Sequence, residues 1–274
     1  MNSSVLVPRR IGATLILAML GFLTGAAAQT PSARELMAKV YGQDTSHDVT
    51  LRATLQVFRK DGATRRKKLF LYRIGSPGDS KTLVRFTDPP ELQGVVLLSI
   101  NRKGDSVRQW IYLPATQRVR PVAPRDRSGS FAGSDFSYED IGERVLDDFS
   151  YRFLKEQDTI DGHKTFKVEA TPVAPGLSQY GFVYYWVGQD IPVILHAELY
   201  DPQGRLVRGF HASQLKKVSG IWGARRIEMS SAQGDSRTTF TIEDAHFNTN
   251  LSDDLFNPEA LDRVGSLLQK RTKK

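Results

Sequence analysis

The chain has no cysteine among its 274 residues. This excludes disulfides as a source of stability, so a buried apolar core has to hold the fold together. It also excludes a lipid anchor on a cysteine behind a leader. Beyond residue 30 no apolar run approaches the roughly 20 residues of a membrane-spanning helix. Phosphate-binding G-x-x-x-x-G-K-[ST] is missing, and so is a nucleophile elbow: Gly129-Ser130-Phe131-Ala132-Gly133 carries Phe where the serine should stand. The five histidines, His47, His163, His196, His211 and His246, are scattered, and none has metal-ligand spacing to another. His196 and Glu198 share a strand face, but two ligands do not make a site. These absences predict no metal, no cofactor and no enzymatic activity.

Basic residues outnumber acidic ones, 38 Lys and Arg against 30 Asp and Glu, for a formal charge of +8. The excess is spread along the chain, apart from Arg65-Arg66-Lys67-Lys68 and the tail from Lys270 to Lys274. Arg9 and Arg10, the apolar stretch Ile11 to Leu23 and the end Ala26-Ala27-Ala28 form the three parts of a secretory leader. Cleavage is expected after Ala28, leaving a single domain over 29–274 in the periplasm, neither lipidated nor membrane-bound. Nucleic acid is not an expected partner there. Anionic head groups or an acidic partner are one reading of the positive charge, and a solvated surface is the other.

One helix is predicted at the start of the domain. Ser32 and Glu35 fit a capping box, and Leu36, Met37, Val40 and Tyr41 form a helical stripe. Period-two segments follow: Leu51 to Val57, Lys67 to Ile74, Leu83 to Phe86, Val95 to Ile100, Gln109 to Leu113, Tyr151 to Gln157, Phe166 to Ala170, Tyr180 to Val187, Val193 to Tyr200, Arg205 to His211, Trp222 to Ser230 and Thr238 to Phe247. Asp61-Gly62, Asp161-Gly162, Asp201 to Gly204 and Gly234-Asp235 supply tight turns, which predicts an antiparallel meander. A closing helix is expected from Pro258, with Asn257 as its cap. Several strands are apolar on both faces. Tyr180, Phe182, Tyr184 and Trp186 line one face, Val183, Tyr185 and Val187 the other, and Val95 to Leu98 has no polar face. Two packed sheets would explain this, and so would one curled sheet around an apolar space.

Arg125 to Ile141, RDRSGSFAGSDFSYEDI, is rich in small residues yet carries Phe131, Phe136 and Tyr138. Asp135, Glu139 and Asp140 suit the start of a short helix near Ser137 or Tyr138. Gly129 and Gly133 offer hinges, and Arg118, Arg120, Arg125 and Arg127 form a basic collar for head groups or a partner. A hinged aromatic flap beside an apolar sheet face reads as a mobile lid.

The stretch Trp110 to Ile141, WIYLPATQRVRPVAPRDRSGSFAGSDFSYEDI, resembles the signature of the bacterial outer membrane lipoprotein-sorting protein family, in its LolA-like branch. Leu83 to Ile100 and Leu255 to Leu261 resemble the same family. The resemblance implies a mainly β fold with a few helices: a strongly curved antiparallel half-barrel of about 11 strands, with a helical lid over an apolar cavity. It implies a soluble, monomeric carrier that binds the acyl chains of lipoproteins or other lipids and moves them toward the outer membrane. Its partners would be an inner-membrane exporter of the resistance-nodulation-division (RND) type or a lipoprotein-releasing complex, and an outer-membrane acceptor. A non-carrying adaptor of an exporter or envelope-assembly complex is the alternative. Lipid contacts are then expected at Phe131, Phe136, Tyr138, Trp110, Tyr112, Phe182, Tyr184 and Trp186. The family's lid-holding arginine has no assigned position here, because the lid segment differs and several arginines compete.

Overall fold

The computed structural model describes residues 31–272. The predicted leader 1–28, the start of the mature chain at Gln29 and the last two lysines lie outside them. The chain opens with helix α1 (Ala33–Gly42), capped by Ser32 and Glu35 in the expected capping box, with Leu36, Met37 and Val40 buried.

Thirteen strands follow. They are β1 (Asp48–Arg59), β2 (Thr64–Ser76), β3 (Asp79–Asp88), β4 (Val96–Ile100), β5 (Arg108–Leu113), β6 (Arg118–Val122), β7 (Phe149–Ile160), β8 (His163–Pro172), β9 (Phe182–Gly188), β10 (Ile194–Tyr200), β11 (Leu206–Val218), β12 (Ile221–Ser231) and β13 (Ser236–Phe247). All belong to one antiparallel sheet, ordered β6-β5-β4-β3-β2-β1-β13-β12-β11-β10-β9-β8-β7. The meander β1 to β6 runs out to one edge. The meander β7 to β13 runs in from the other, and β13 closes on β1 with Leu55 opposite Phe240. The edge strands β6 and β7 do not pair, so the sheet stays open as a half-barrel. The turn between β7 and β8 shows why Asp-Gly marks a hairpin: Asp161 and Gly162 both take positive φ, 47° and 83°, which suits a turn matching the strand twist.

The strand count exceeds the 11 expected. The strand that escaped notice is β6, whose Arg118-Val119-Arg120-Pro121-Val122 has no apolar alternation. Pro121 has no N–H to donate to a ladder, and an edge is where a sheet tolerates it.

Each face of the sheet has its own cover, which is why β4 is buried on both. On the inner face Leu55, Leu69, Val84, Phe86, Leu97, Val168, Val183, Tyr185 and Val187 pack with α1 and with residues between β6 and β7. On the outer face of the first meander Tyr72, Leu83, Val96, Leu98 and Ile100 pack beneath Leu255, Phe256, Leu261 and Val264. This cover is two short turns of 3-10 helix, Asp253–Phe256 and Pro258–Arg263, and helix α3 (Val264–Thr272). Asn257 accepts from the Glu259 N–H at 3.0 Å, the expected cap. Burying each such side chain contributes roughly 1.5–3 kcal/mol, so both covers belong to the stable fold. Among the described residues no helix is long and apolar enough to cross a membrane.

Candidate functional site

Residues 123–148 cross from the β6 edge to the β7 edge over the inner face, and the glycine- and aromatic-rich stretch lies within them. The backbone folds back on itself where Ser130 bridges Ser137 and the Phe131 N–H donates to the Phe136 carbonyl at 2.7 Å. Ala132 and Gly133 make the reversal with φ of 51° and 69°. Helix α2 (Tyr138–Ile141) follows, capped by Ser137, with Asp140 completing a capping box.

Asp135, Glu139 and Asp140 all reach beyond the segment. Asp135 accepts from the hydroxyls of Ser236 and Thr238 on β13. Glu139 accepts from the Ser178 hydroxyl and the Gln179 N–H. Asp140 accepts from Ser137, from the Tyr180 hydroxyl at 3.0 Å and from Arg208 Nη1 on β11 at 3.0 Å. Gln109 of β5 donates to the Tyr138 carbonyl at 2.8 Å. The crossing segment is thus bonded to both meanders.

Two spaces lie on the inner side. An apolar groove of about 450 Å3 runs between the end of α1 and strands β1, β11, β12 and β13, walled by Val40, Val49, Leu51, Val218, Ile221 and Ile242, with Lys216, Arg225 and Glu243 among its charged residues. A deeper cavity of about 230 Å3 is lined by Phe136, Ile194, Ala197, Leu199, Phe210 and Met229, together with Asp140 and Arg144. Tyr41, at the end of α1, lines both spaces.

A polar group stands at the wall of the deeper cavity. The guanidinium of Arg144 lies over the rings of Phe149 and Tyr180, at 5.6 and 5.5 Å from their centroids. Its Nη2 is 3.9 Å from Asp140 Oδ1, an ion pair but not a hydrogen bond. Arg144 Nη1 and the hydroxyls of Tyr41, Tyr151 and Tyr185 are enclosed, and none finds a hydrogen-bond partner of good geometry, although the hydroxyls are close neighbours. An unpartnered buried hydroxyl costs about 1–3 kcal/mol, and a charged group more. Burial pushes the three phenols above the usual tyrosine range, so they are neutral near pH 7. Burial opposes the charge on Arg144, but the neighbouring carboxylates of Asp140 and Glu139 favour it, and the guanidinium stays protonated near pH 7.

The residues expected from the sequence separate here. Phe136 lines the deeper cavity. Phe131 instead packs on Phe86 at 5.4 Å and on Tyr138 at 5.9 Å, and both phenylalanines are buried in the core, at 2% and 7% exposure. Gly129 serves a close approach, since a Cβ there would stand 3.0 Å from the Asp126 carbonyl, and only Gly133 needs a positive φ. The dense bonding describes a plug seated in the sheet where the sequence suggested a mobile flap.

The other aromatics lie on the wrong face for the cavity. Trp110 and Tyr112 pack against the outer cluster beneath the C-terminal turns. Val183, Tyr185 and Val187 belong to the inner core, so strand alternation sends Phe182, Tyr184 and Trp186 outward. There Phe182 stacks on Tyr200 at 4.6 Å, and Lys167 sits over Tyr184 and Trp186.

His196 packs on Trp186 at 4.9 Å and burial lowers its pKa, while Glu198 accepts from the Tyr200 hydroxyl. No group of three or more His, Cys, Asp or Glu among the described residues could hold a metal ion. Arg118, Arg120 and Arg125 are exposed and Arg127 half-buried, all outside the cavity lining. The arginines that do approach the interior, Arg144 and Arg208, escaped sequence reasoning. The i,i+4 spacing of Asp140 and Arg144 was the available signal for one of them.

A profile of a family described as "-like: Uncharacterized protein" matches residues 78–263. No protein of curated function matches the sequence significantly. Among solved structures, a Vibrio parahaemolyticus domain described as an outer membrane lipoprotein-sorting protein shares 25% identity at TM-score 0.79, covering 84% of this chain and 98% of its own. A DUF1329 family protein from Desulfovibrio piger shares 26% at TM-score 0.80, covering 84% and 97%. A LolA superfamily protein from Nitrosomonas europaea, 19% identical over 83% and 98% at TM-score 0.68, has the same fold. The chain belongs to the family whose profile spans residues 78–263, and its structural neighbours are outer membrane lipoprotein-sorting, LolA superfamily and DUF1329 proteins.

Proposed function

We propose that this protein is a soluble periplasmic carrier that shields acyl chains of lipoproteins or other lipids on their way to the outer membrane. The observation that carries this reading is the pair of apolar spaces on the inner face, the groove of about 450 Å3 and the cavity of about 230 Å3, with Tyr41 lining both. Each buried methylene is worth about 0.8 kcal/mol, so eight of them would contribute roughly 6 kcal/mol before ordering costs. That is enough to hold a chain and weak enough to release it. The resemblance to a lipoprotein-sorting domain supports the same cargo class. The predicted leader supports the periplasm, with 29–274 as one domain. An inner-membrane RND-type exporter or lipoprotein-releasing complex would load the carrier, and an outer-membrane acceptor would unload it.

One observation favours the adaptor alternative. The crossing segment is bonded to both meanders and its phenylalanines are buried, which suits a protein that stays closed. The test is solvent extraction of protein purified without detergent from a periplasmic fraction, followed by mass spectrometry. Acyl-bearing molecules near one per protein support the carrier. Their absence, with the protein recovered bound to an envelope complex, supports the adaptor.

A further inference from the structure

The hairpin that joins β1 to β2 concentrates charge of one sign. Residues 59–68 hold Arg59, Lys60, Arg65, Arg66, Lys67 and Lys68, against Asp61 as the one acid. Asp61 is spent on the turn, where it accepts from the Ala63 N–H at 2.9 Å. Elsewhere on the central strands arginines find carboxylates: Arg52 meets Glu243 at 2.8 Å and Arg237 meets Glu228 at 2.9 Å. The bases of the hairpin make no ion pair among the described residues, and all but Lys67 are exposed. Lys67 lies opposite Leu55 and is 6% exposed, yet its ammonium is not enclosed and meets no carboxylate. Burial lowers its pKa, and Arg65 and Arg59 lower it further, with Glu91 opposing them. Strand alternation puts Arg59, Arg65 and Lys67 on the inner face, with Leu55, and Arg66 and Lys68 on the outer. Arg65 stands opposite Val57, so it is the diagonal neighbour of Arg59 and two residues from Lys67, roughly 7 Å in each case. These like charges repel one another, and a negative partner relieves the repulsion.

What the hairpin lacks decides between partners. A protein interface is anchored by large apolar or aromatic side chains near its centre. Residues 59–68 contain none, and the exposed large hydrophobics among the described residues, Val173 and Leu206, lie beside β8 and on β11. Cations on both faces of a two-stranded ribbon also fit no single rigid surface. They fit mobile anionic head groups, which gather round both faces, and each basic side chain near such a surface strengthens binding about fivefold. We propose that the β1–β2 hairpin is a docking site for the anionic phospholipid surface of a membrane, with head-group phosphates held by Arg59, Arg65 and Lys67 on one face and by Arg66 and Lys68 on the other. The contact is electrostatic and reversible, and it stands apart from whether the protein carries acyl chains.

The probes are vesicles of phosphatidylcholine alone and of phosphatidylcholine with about one-third phosphatidylglycerol, floated with the full-length mature protein. The anionic vesicles are expected to bind at least tenfold more tightly. Raising sodium chloride from about 0.1 to about 1 M should abolish the difference, because the screening length shortens from about 10 to about 3 Å. Arg65→Gln/Arg66→Gln should weaken binding to the anionic vesicles at least tenfold. Arg102→Gln/Lys103→Gln removes the same charge from the turn between β4 and β5, at the other end of the strands, and should change binding less than threefold. All four positions are exposed, and Lys60→Gln/Lys68→Gln repeats the test if Arg65→Gln/Arg66→Gln does not fold. Equal losses in the two pairs would reduce the effect to net charge and overturn the site. Equal binding to both vesicles, or binding to neither, overturns it as well. Binding of poly-glutamate without binding of anionic vesicles would assign the hairpin to an acidic protein and overturn the membrane. None of these outcomes touches the acyl-carrier reading, which extraction and mass spectrometry test separately.

Discussion

Arg208 of β11 grips Asp140 of the crossing segment, Nη1 to Oδ2 at 3.0 Å, and the same nitrogen donates to the Tyr180 hydroxyl at 2.7 Å. The Asp140 side chain is 4% exposed, so this carboxylate balances two arginines away from water. Removing it leaves both cations uncompensated. Asp140→Asn is expected to destabilise by about 3–5 kcal/mol, the usual cost of breaking a buried pair. Urea denaturation at pH 7 measures it, and a loss below about 1 kcal/mol would show that the segment is held by other contacts.

Phe131 gives a second test of how firmly the segment is seated. Its ring is wedged between Phe86 and Tyr138 at 2% exposure. Phe131→Ala should cost about 3–5 kcal/mol, as for other buried aromatics. A flap swinging through water would lose almost nothing on the same substitution, so thermal or chemical denaturation separates plug from lid.

The meander was legible because turns such as Asp161-Gly162 and alternations such as Leu51 to Val57 are local signals. The edge strand β6 was not, since Arg118 to Val122 is short and Pro121 has no N–H to donate to a ladder. The inward face was also out of reach. Strand β9 is apolar on both sides, and nothing within it tells whether Val183 or Phe182 faces the interior. That choice is made by what the rest of the chain stacks on each side. The polar cluster beside the cavity was hidden for a related reason: Tyr41, Arg144, Tyr151 and Tyr185 come from separate elements and meet only through the long-range pairing of the sheet.

Acid stability should report on Asp48 at the start of β1. Its carboxylate accepts the Thr249 N–H and hydroxyl at 2.8 Å each and the Leu251 N–H at 3.2 Å. Burial raises its pKa, but these donors outweigh burial and hold it below the ordinary 3.8. A carboxyl with a depressed folded pKa contributes stability above its unfolded pKa and loses it as pH falls through the folded one. Asp48→Asn should therefore be less stable than the parent at pH 7, by about 1–3 kcal/mol. The gap should narrow as pH falls below about 4. Urea midpoints from pH 7 to pH 2 measure this, and a gap constant with pH would remove Asp48 as its source.

The groove can be filled without touching the core. Gly223 of β12 pairs with Lys216 and lies on the groove wall, and a Cβ built there meets nothing within 4 Å. Its neighbours along the strand in the same phase, Ile221 and Arg225, also line the groove. Gly223→Phe should place a ring in that space and lower the affinity for a fluorescent acyl probe at least tenfold, with the denaturation midpoint unchanged or higher. A folded Gly223→Phe protein that binds the probe like the parent would exclude the groove as the chain's path.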